Sequence, residues 1–296
     1  VKALYKKSCE FEENLSMTFE RLSYLYNTLQ LSDKKIAILE NSSASTIKRR
    51  REKFGIKSLR QQLQESFPQT LTKQQDMVLI GTLMGDAHLV NRRKDRATSR
   101  LQLVHCKKQE TYLEYKMSFF SCFLPKTSQV TDHIGEKSYP MVHSYTRYCH
   151  ALAKYHHLFY PDGKTKTFKP SLDAKLLHPE SLAFWYFDDG SKDGHSFRFS
   201  ISKKMRSETL ELKSYIQNYF GFEMTFRPAY VNSSCDYLRI RNASAKAFYS
   251  QCVVPHLLPA LRYKIPERLL IDNPEPSLKG NLLEGVTTTK GPKFNE

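Results

Sequence analysis

The chain is poor in residues that cross-link or coordinate through sulfur. Its 296 residues include six cysteines, Cys9, Cys106, Cys122, Cys149, Cys235 and Cys252, scattered with no CxxC pair and no zinc-like spacing. That excludes a disulfide framework and a thiolate metal centre, and fits thiols kept in a reducing compartment. No long apolar run occurs and no lipidation signal is present, so no membrane partner is expected. The opening Val1-Lys2-Ala3 lacks the charged-then-apolar layout of a secretory signal. An intracellular protein is therefore expected, with an organelle (mitochondrion or chloroplast) and bacterial or phage-infected cytoplasm equally compatible. Acidic residues are also scarce: 30 Asp and Glu face 46 Lys and Arg, a formal net charge of +16. A surplus of that size draws a polyanion, because neutralising phosphates releases condensed counterions.

What is present suffices for a core. Hydrophobic residues make up 40% and aromatics 12%, with 17 Tyr and 18 Phe, which argues against wholesale disorder. Residues 1–66 form a block rich in Lys, Arg, Glu and Ser, closed by Ser66-Phe67-Pro68-Gln69-Thr70, where proline disfavours helix in the residue before it. Residues 273–296 are mostly polar, with several Pro and Gly, and are expected to be a tail.

The long middle block is internally duplicated. Its first copy runs from the apolar Leu79-Ile80-Gly81 to Gly85-Asp86, then through a basic loop to an alternating strand, Arg100 to His105. An amphipathic helix from Glu110 to about Phe123, a strand pair including Tyr139 to Ser144, and a helix near Arg147–Phe159 complete it. The second copy repeats the order: Leu182 to Asp188-Asp189-Gly190, a strand Phe197–Ser202, a helix Ser207–Phe220, a strand Tyr237–Arg241 and a helix Ser244–Val253. Each copy reads helix, two strands, helix, two strands, helix. The expected organisation is 1–66, 67–175, 176–272 and a tail 273–296.

Two segments head the copies, LIGTLMGDA (Leu79–Ala87) and LAFWYFDDG (Leu182–Gly190), with Asp86 and Asp189 in matching places 103 residues apart. Small residues (Gly81, Gly85, Ala183) let two helix backbones approach closely. Carboxylates at the ends of such helices repel each other where the dipole already disfavours negative charge. A divalent cation relieves that repulsion, and Mg²⁺ takes carboxylate, phosphate and water oxygens. Two ions about 3.5–4 Å apart would suit phosphodiester hydrolysis.

These segments resemble the signature helices of the LAGLIDADG homing endonucleases in their single-chain, two-motif form. The likeness extends to Gly190-Ser191-Lys192, Pro255-His256-Leu257-Leu258-Pro259 and Tyr263-Lys264-Ile265-Pro266, and covers roughly residues 71–271. Thr82, Met84 and Ala87 depart from the family pattern, but the apolar run survives. The resemblance implies an α+β fold of two pseudo-symmetric αββαββα halves forming a saddle on double-stranded DNA. It implies a monomer with a long recognition site that cuts both strands and leaves short 3′ overhangs. Asp86 and Asp189 would be the ligands of two or more Mg²⁺ ions, with Asp188 one residue too early to share the site. Lys264, and Lys166 among Lys164, Lys166 and Lys169, would sit beside the catalytic centre.

Arg100, Gln102, Arg198, Ser200, Arg239 and Arg241 fall on the polar side of alternating strands, and Arg and Gln suit base edges. Arg92 and Arg93 in the basic loop suit phosphate. In the N-terminal block, Ser32 caps a helix from Asp33 to Leu39, Asn41 permits a sharp turn, and Ser43 to Arg51 starts a second helix that ends near Gly55. This resembles a resolvase-like helix-turn-helix, a small all-α domain whose Ala44, Ser45, Lys48 and Arg49 would face the major groove. Ser42, where that motif usually has an aliphatic residue, departs from it. The leading function is metal-dependent, site-specific DNA cleavage. The alternative is a binding protein of the same fold, either a maturase for intron RNA or a DNA-binding regulator without catalysis.

Overall fold

A computed structural model describes residues 17–91, 97–167, 177–202, 206–228 and 235–272. These residues pack as two units that divide between Ser66 and Phe67. The N-terminal unit is helical: α1 (Phe19–Ser23) runs into a wider turn at Tyr24–Thr28, followed by α2 (Asp33–Leu39), α3 (Ala44–Lys53) and α4 (Leu59–Ser66). Ser32 and Ser43 cap α2 and α3 by accepting from the backbone N–H of Lys35 and Thr46. Asn41 makes the turn between them with φ +44°. Leu22, Leu25, Tyr26, Ile36, Ile47 and Ile56 form a small core. Arg51 is drawn into it, donating to the Ile56 carbonyl at 3.0 Å and pairing with Asp33 at 3.3 Å.

The second unit is α+β, and its two copies have the same order. The first contains α5 (Lys73–Met84), β1 (His88–Asn91), β2 (Ser99–Cys106), α6 (Glu110–Ser118), β3 (Lys126–Ile134), β4 (Lys137–Tyr145) and α7 (Ala153–Phe159). The second contains α8 (Ser181–Asp189), β5 (Gly190–Asp193), β6 (Ser196–Ser202), α9 (Arg206–Phe220), β7 (Met224–Arg227), β8 (Cys235–Ile240) and α10 (Asn242–Phe248). The strands make two four-stranded antiparallel sheets, ordered β1-β2-β4-β3 and β5-β6-β8-β7. Registers match as well: His88 pairs with Gln102 as Ser191 pairs with Arg198. Leu101, Leu103 and Val142 in one sheet, and Phe197, Phe199 and Leu238 in the other, turn inward and are fully buried.

Two helices are shorter than the sequence pattern predicts. The helix from Glu110 stops at Ser118, and a short 3-10 turn follows at Ser121–Phe123 before Leu124 adopts φ +47°. The helix expected near Arg147 begins only at Ala153, because Cys149 instead bridges to Ser99 as an isolated strand pair. Arg241 lies beyond the end of β8, which stops at Ile240.

α5 and α8 pack against each other. Thr72 and Gln75 form a capping box at the start of α5. Apart from their ends both helices are buried nearly all round, so neither shows the one-sided pattern of a surface helix. Glycine governs how close they come. A Cβ on Gly81 would overlap the Ser181 carbonyl and Phe184, and one on Gly85 would overlap Asp188. Gly81→Ala should therefore destabilise the full chain by about 1–3 kcal/mol in urea unfolding. An unchanged midpoint and slope would show that the seam is looser than described.

Candidate active site

The two helices deliver Asp86 and Asp189 to corresponding ends, each followed at once by the first strand of its sheet. A helix C-terminus leaves carbonyls without intrahelical donors. Here lysines supply them in matching fashion. Lys166 donates to the carbonyls of Gly85 (2.6 Å) and Ala87 (3.0 Å) beyond α5. Lys264 donates to Phe187 (2.6 Å), Asp188 (2.9 Å) and Gly190 (3.1 Å) at the end of α8. The structure thus places both sequence-predicted lysines beside the carboxylates, with their ammonium groups on backbone oxygen. Burial pushes both below the ordinary lysine range, while the nearby aspartates pull them back up.

Asp188 departs from the expectation that it lies outside the site. Its side chain is fully buried in the seam, where Lys116 Nζ pairs with Oδ1 at 2.7 Å. The other oxygen, Oδ2, accepts from the Asp86 backbone N–H at 3.4 Å and from Thr82 Oγ1 at 3.5 Å. The reason is geometric: Gly85 lies opposite and leaves room for a carboxylate that a larger residue would displace. His105 completes the group, with Nδ1 3.8 Å from Asp86 and Nε2 3.9 Å from Asp188. One donor atom each from Asp86, His105 and Asp188 lies within 4.8 Å of the others. Burial, then Lys116, push the His105 imidazole down to about 4, so it is neutral at physiological pH.

His105 and Lys116 escape the sequence reading, which sets Asp188 outside the site, although the pattern holds a signal for the first two. His105 occupies the buried parity of β2 after Leu101 and Leu103, and Lys116 the buried stripe of α6 between Leu113 and Phe120. A polar side chain in an apolar period needs a buried partner.

Burial, reinforced by Asp86 and then Asp188, pushes the Asp189 carboxyl up to about 7. Asp86 moves in the same direction through burial and then Asp188. Its side chain is 43% exposed, so solvent screens its interactions and Asp189 bears more of the strain.

On the open sheet faces, Arg100 lies over the rings of Tyr145 (4.8 Å) and Tyr148 (5.3 Å) and donates to Gln102 at 3.3 Å. Arg198 donates to Ser191 at 2.8 Å and covers Tyr237 at 5.0 Å. Arg239 is held by Asp193 (2.9 Å) and Asn242 (2.8 Å), and Ser200 sits opposite Tyr237. Arg241 does not continue this row; it is exposed at the start of α10 and pairs with Glu223 at 2.9 Å. The register adds His88, His143, Tyr145 and Thr225 to the faces. Arg92 and Arg93 lie outside the described residues. In the N-terminal unit Ser45, Lys48 and Arg49 are exposed, whereas Ala44 packs against the small core.

Two copies of one helix-and-sheet unit, meeting through glycines with an aspartate at each helix end, point to a single family, and residues 77–248 match the LAGLIDADG DNA endonuclease family. The chain belongs to that family. It is 28% identical over 217 residues to a RecA protein of Mycobacterium shimoidei, covering 68% of this chain and 48% of the relative. This LAGLIDADG chain therefore spans about half the length of that relative. It is also 25% identical over 209 residues to probable intron-encoded endonuclease 1 of Wickerhamomyces canadensis, covering 66% of this chain and 85% of that protein. Among solved structures, the homing endonuclease I-WcaI bound to its DNA recognition sequence is similar with a TM-score of 0.58 and 22% identity. That match covers 71% of this chain and 92% of the other, and carries the fold. Among the described residues of this LAGLIDADG chain, no helix is long and apolar enough to cross a membrane.

The raised carboxyl predicts a pH signature. A pKa of about 7 in the folded chain against an ordinary 3.8 means the fold binds the extra proton, so Asp189 stabilises most below pH 4. That contribution is lost as pH rises towards 7. His105 runs the opposite way over the same window, its stabilisation lost as pH falls from 6.5 towards 4, so wild type alone is not diagnostic. Without divalent metal, the stability difference between Asp189→Asn and wild type should shift in favour of the variant between pH 4 and 8. A constant difference in urea unfolding would remove the assignment.

Proposed function

We propose that the chain is a site-specific homing endonuclease that cuts both strands of a long double-stranded DNA site with divalent metal, leaving short 3′ overhangs. The observation that carries this is the meeting of α5 and α8, which brings Asp86 and Asp189 from two equivalent halves to the same end of one seam. Carboxylate oxygens, with Asp189 raised to about 7 by burial and then by Asp86 and Asp188, suit a hard cation such as Mg²⁺. Asp86 and Asp189 would hold two or more such ions, which supply charge neutralisation and an activated water. Lys166 and Lys264 hold the helix ends in place and contribute positive potential at the scissile phosphates. Three backbone carbonyls take the Lys264 donors and two take donors of Lys166, so both ammonium groups act mainly through charge.

Arg100, Gln102, Arg198, Ser200 and Arg239 line the DNA-facing sheets, and Arg241 reaches the backbone from beyond its strand. Arg92 and Arg93 contact phosphate. In the N-terminal unit, α2 and α3 act as a helix-turn-helix in which Ser45, Lys48 and Arg49 meet the major groove, giving a second hold on the same DNA. A single chain carries both halves, so the enzyme works as a monomer.

Incubating wild type, Asp86→Asn and Asp189→Asn with a randomised duplex library and Mg²⁺ tests the core of this reading. Wild type should yield discrete cuts with 3′ overhangs, and each variant should lose cleavage by at least about 100-fold while still binding the recovered site. Uncut DNA with equal binding by all three proteins would favour the regulator, and tight binding of structured RNA alone the maturase. On the recovered site, Lys48→Ala with Arg49→Ala should weaken binding and lower its salt dependence by about two units of log-log slope. An unchanged slope would remove the N-terminal unit from the DNA.

A further inference from the structure

The two halves are near-copies in backbone but differ in the side chains beneath their carboxylates. Lys116 follows Gln102 by the same fourteen residues that separate Leu212 from Arg198, and His105 corresponds to Ile201 in the same way. Across the seam, Asp188 corresponds to Gly85, one residue before each terminal aspartate. One side of the centre therefore holds a buried Lys116, His105 and Asp188, and the other holds Leu212, Ile201 and Gly85. The polar set touches Asp86 directly. Asp188 accepts the Asp86 backbone N–H at 3.4 Å from the opposite helix, and Lys116 neutralises it at 2.7 Å with both side chains fully buried. Tyr112 lies 4.4 Å from the Lys116 ammonium and donates to the Phe184 carbonyl at 3.3 Å, fixing the lysine between the helices. No such charge pair supports Asp189 among the described residues.

We propose that Lys116 and Asp188 are positioning residues that hold Asp86 across the seam and make the two halves of the centre unequal in the rate at which they cut. The pair fixes the backbone from which Asp86 projects, and Lys116 keeps Asp188 from repelling it. A buried ion pair losing one member leaves an uncompensated charge, which is costly and local. This inference rests on the endonuclease reading, and the test separates the two.

The full-length chain is compared as wild type, Lys116→Met, Asp188→Asn and the double variant, on a duplex with each strand labelled separately. Lys116→Met should bind DNA normally with Ca²⁺ and slow one strand about tenfold more than the other at saturating DNA, so that kcat rather than KM changes. Asp188→Asn should show the same strand bias, and the double variant should keep that bias while regaining part of the lost rate, because no charge is left unpaired but Asp86 has lost its ionic support. Equal slowing of both strands, or a double variant no better than Lys116→Met, would overturn the proposal. Urea unfolding without metal gives the second readout: Lys116 and Asp188 should be coupled favourably, and Asp188 and Asp86 unfavourably. Absence of that pattern overturns the pair even if Lys116→Met proves too unstable for kinetics. Failure of wild type to cut either strand is instead the failure of the endonuclease reading, and the unfolding cycle then decides the pair alone.

Discussion

The close approach of two helices through Gly81 and Gly85 is the constraint on which the second unit depends. Each sheet belongs to one half, and only the α5–α8 seam brings the halves' terminal aspartates to one place. Dispersion and burial reward that contact, since both helices are apolar nearly all round. The same contact has an electrostatic cost. It gathers two negative helix ends and the carboxyls of Asp86, Asp188 and Asp189 into one place, with Asp188 fully buried. Lys116 offsets that cost by pairing with Asp188, and Lys166 and Lys264 offset it by charge while satisfying the orphan carbonyls.

The residual imbalance is what makes the place chemically useful. A carboxyl raised to about 7 by burial and then by its neighbours gains most from a cation that can replace a proton. Under the proposed function, the energy stored in that crowding is released when divalent metal binds with DNA. The neutral His105 and the Lys116–Asp188 pair lie on only one side, so symmetry of the backbone does not extend to the electrostatics.

The sheets show a second form of pre-organisation. Arg100 and Arg198 rest on tyrosine rings, and Arg198 and Arg239 are tied to neighbouring polar groups. Side chains ordered before binding lose less entropy on contact. Under the proposed function, such arginines suit recognition of a fixed groove better than a mobile basic surface would.

The duplication, the α+β alternation and the two helix-end aspartates could be read from the sequence because each depends on local periodicity and spacing. The cap at Ser32, the helix start at Ser43 and the turn at Asn41 belong to the same class. Lys264 is singled out by the resemblance of Tyr-Lys-Ile-Pro, whereas Lys166 is one of three candidates; its ammonium meets the end of α5, and Lys169 lies outside the described residues. The burial of Asp188 was decided by tertiary structure, since it depends on a glycine 103 residues away in sequence and a lysine 72 residues away. So was the fate of Ala44, which is packed rather than presented, and of Arg241, which the chain carries past the strand end. Sequence alone determined which residues could form helices, strands and an acidic helix end, because those preferences act over a few residues. The tertiary structure decided which charges became partners, because the energy of a buried charge is set by whatever the fold places against it.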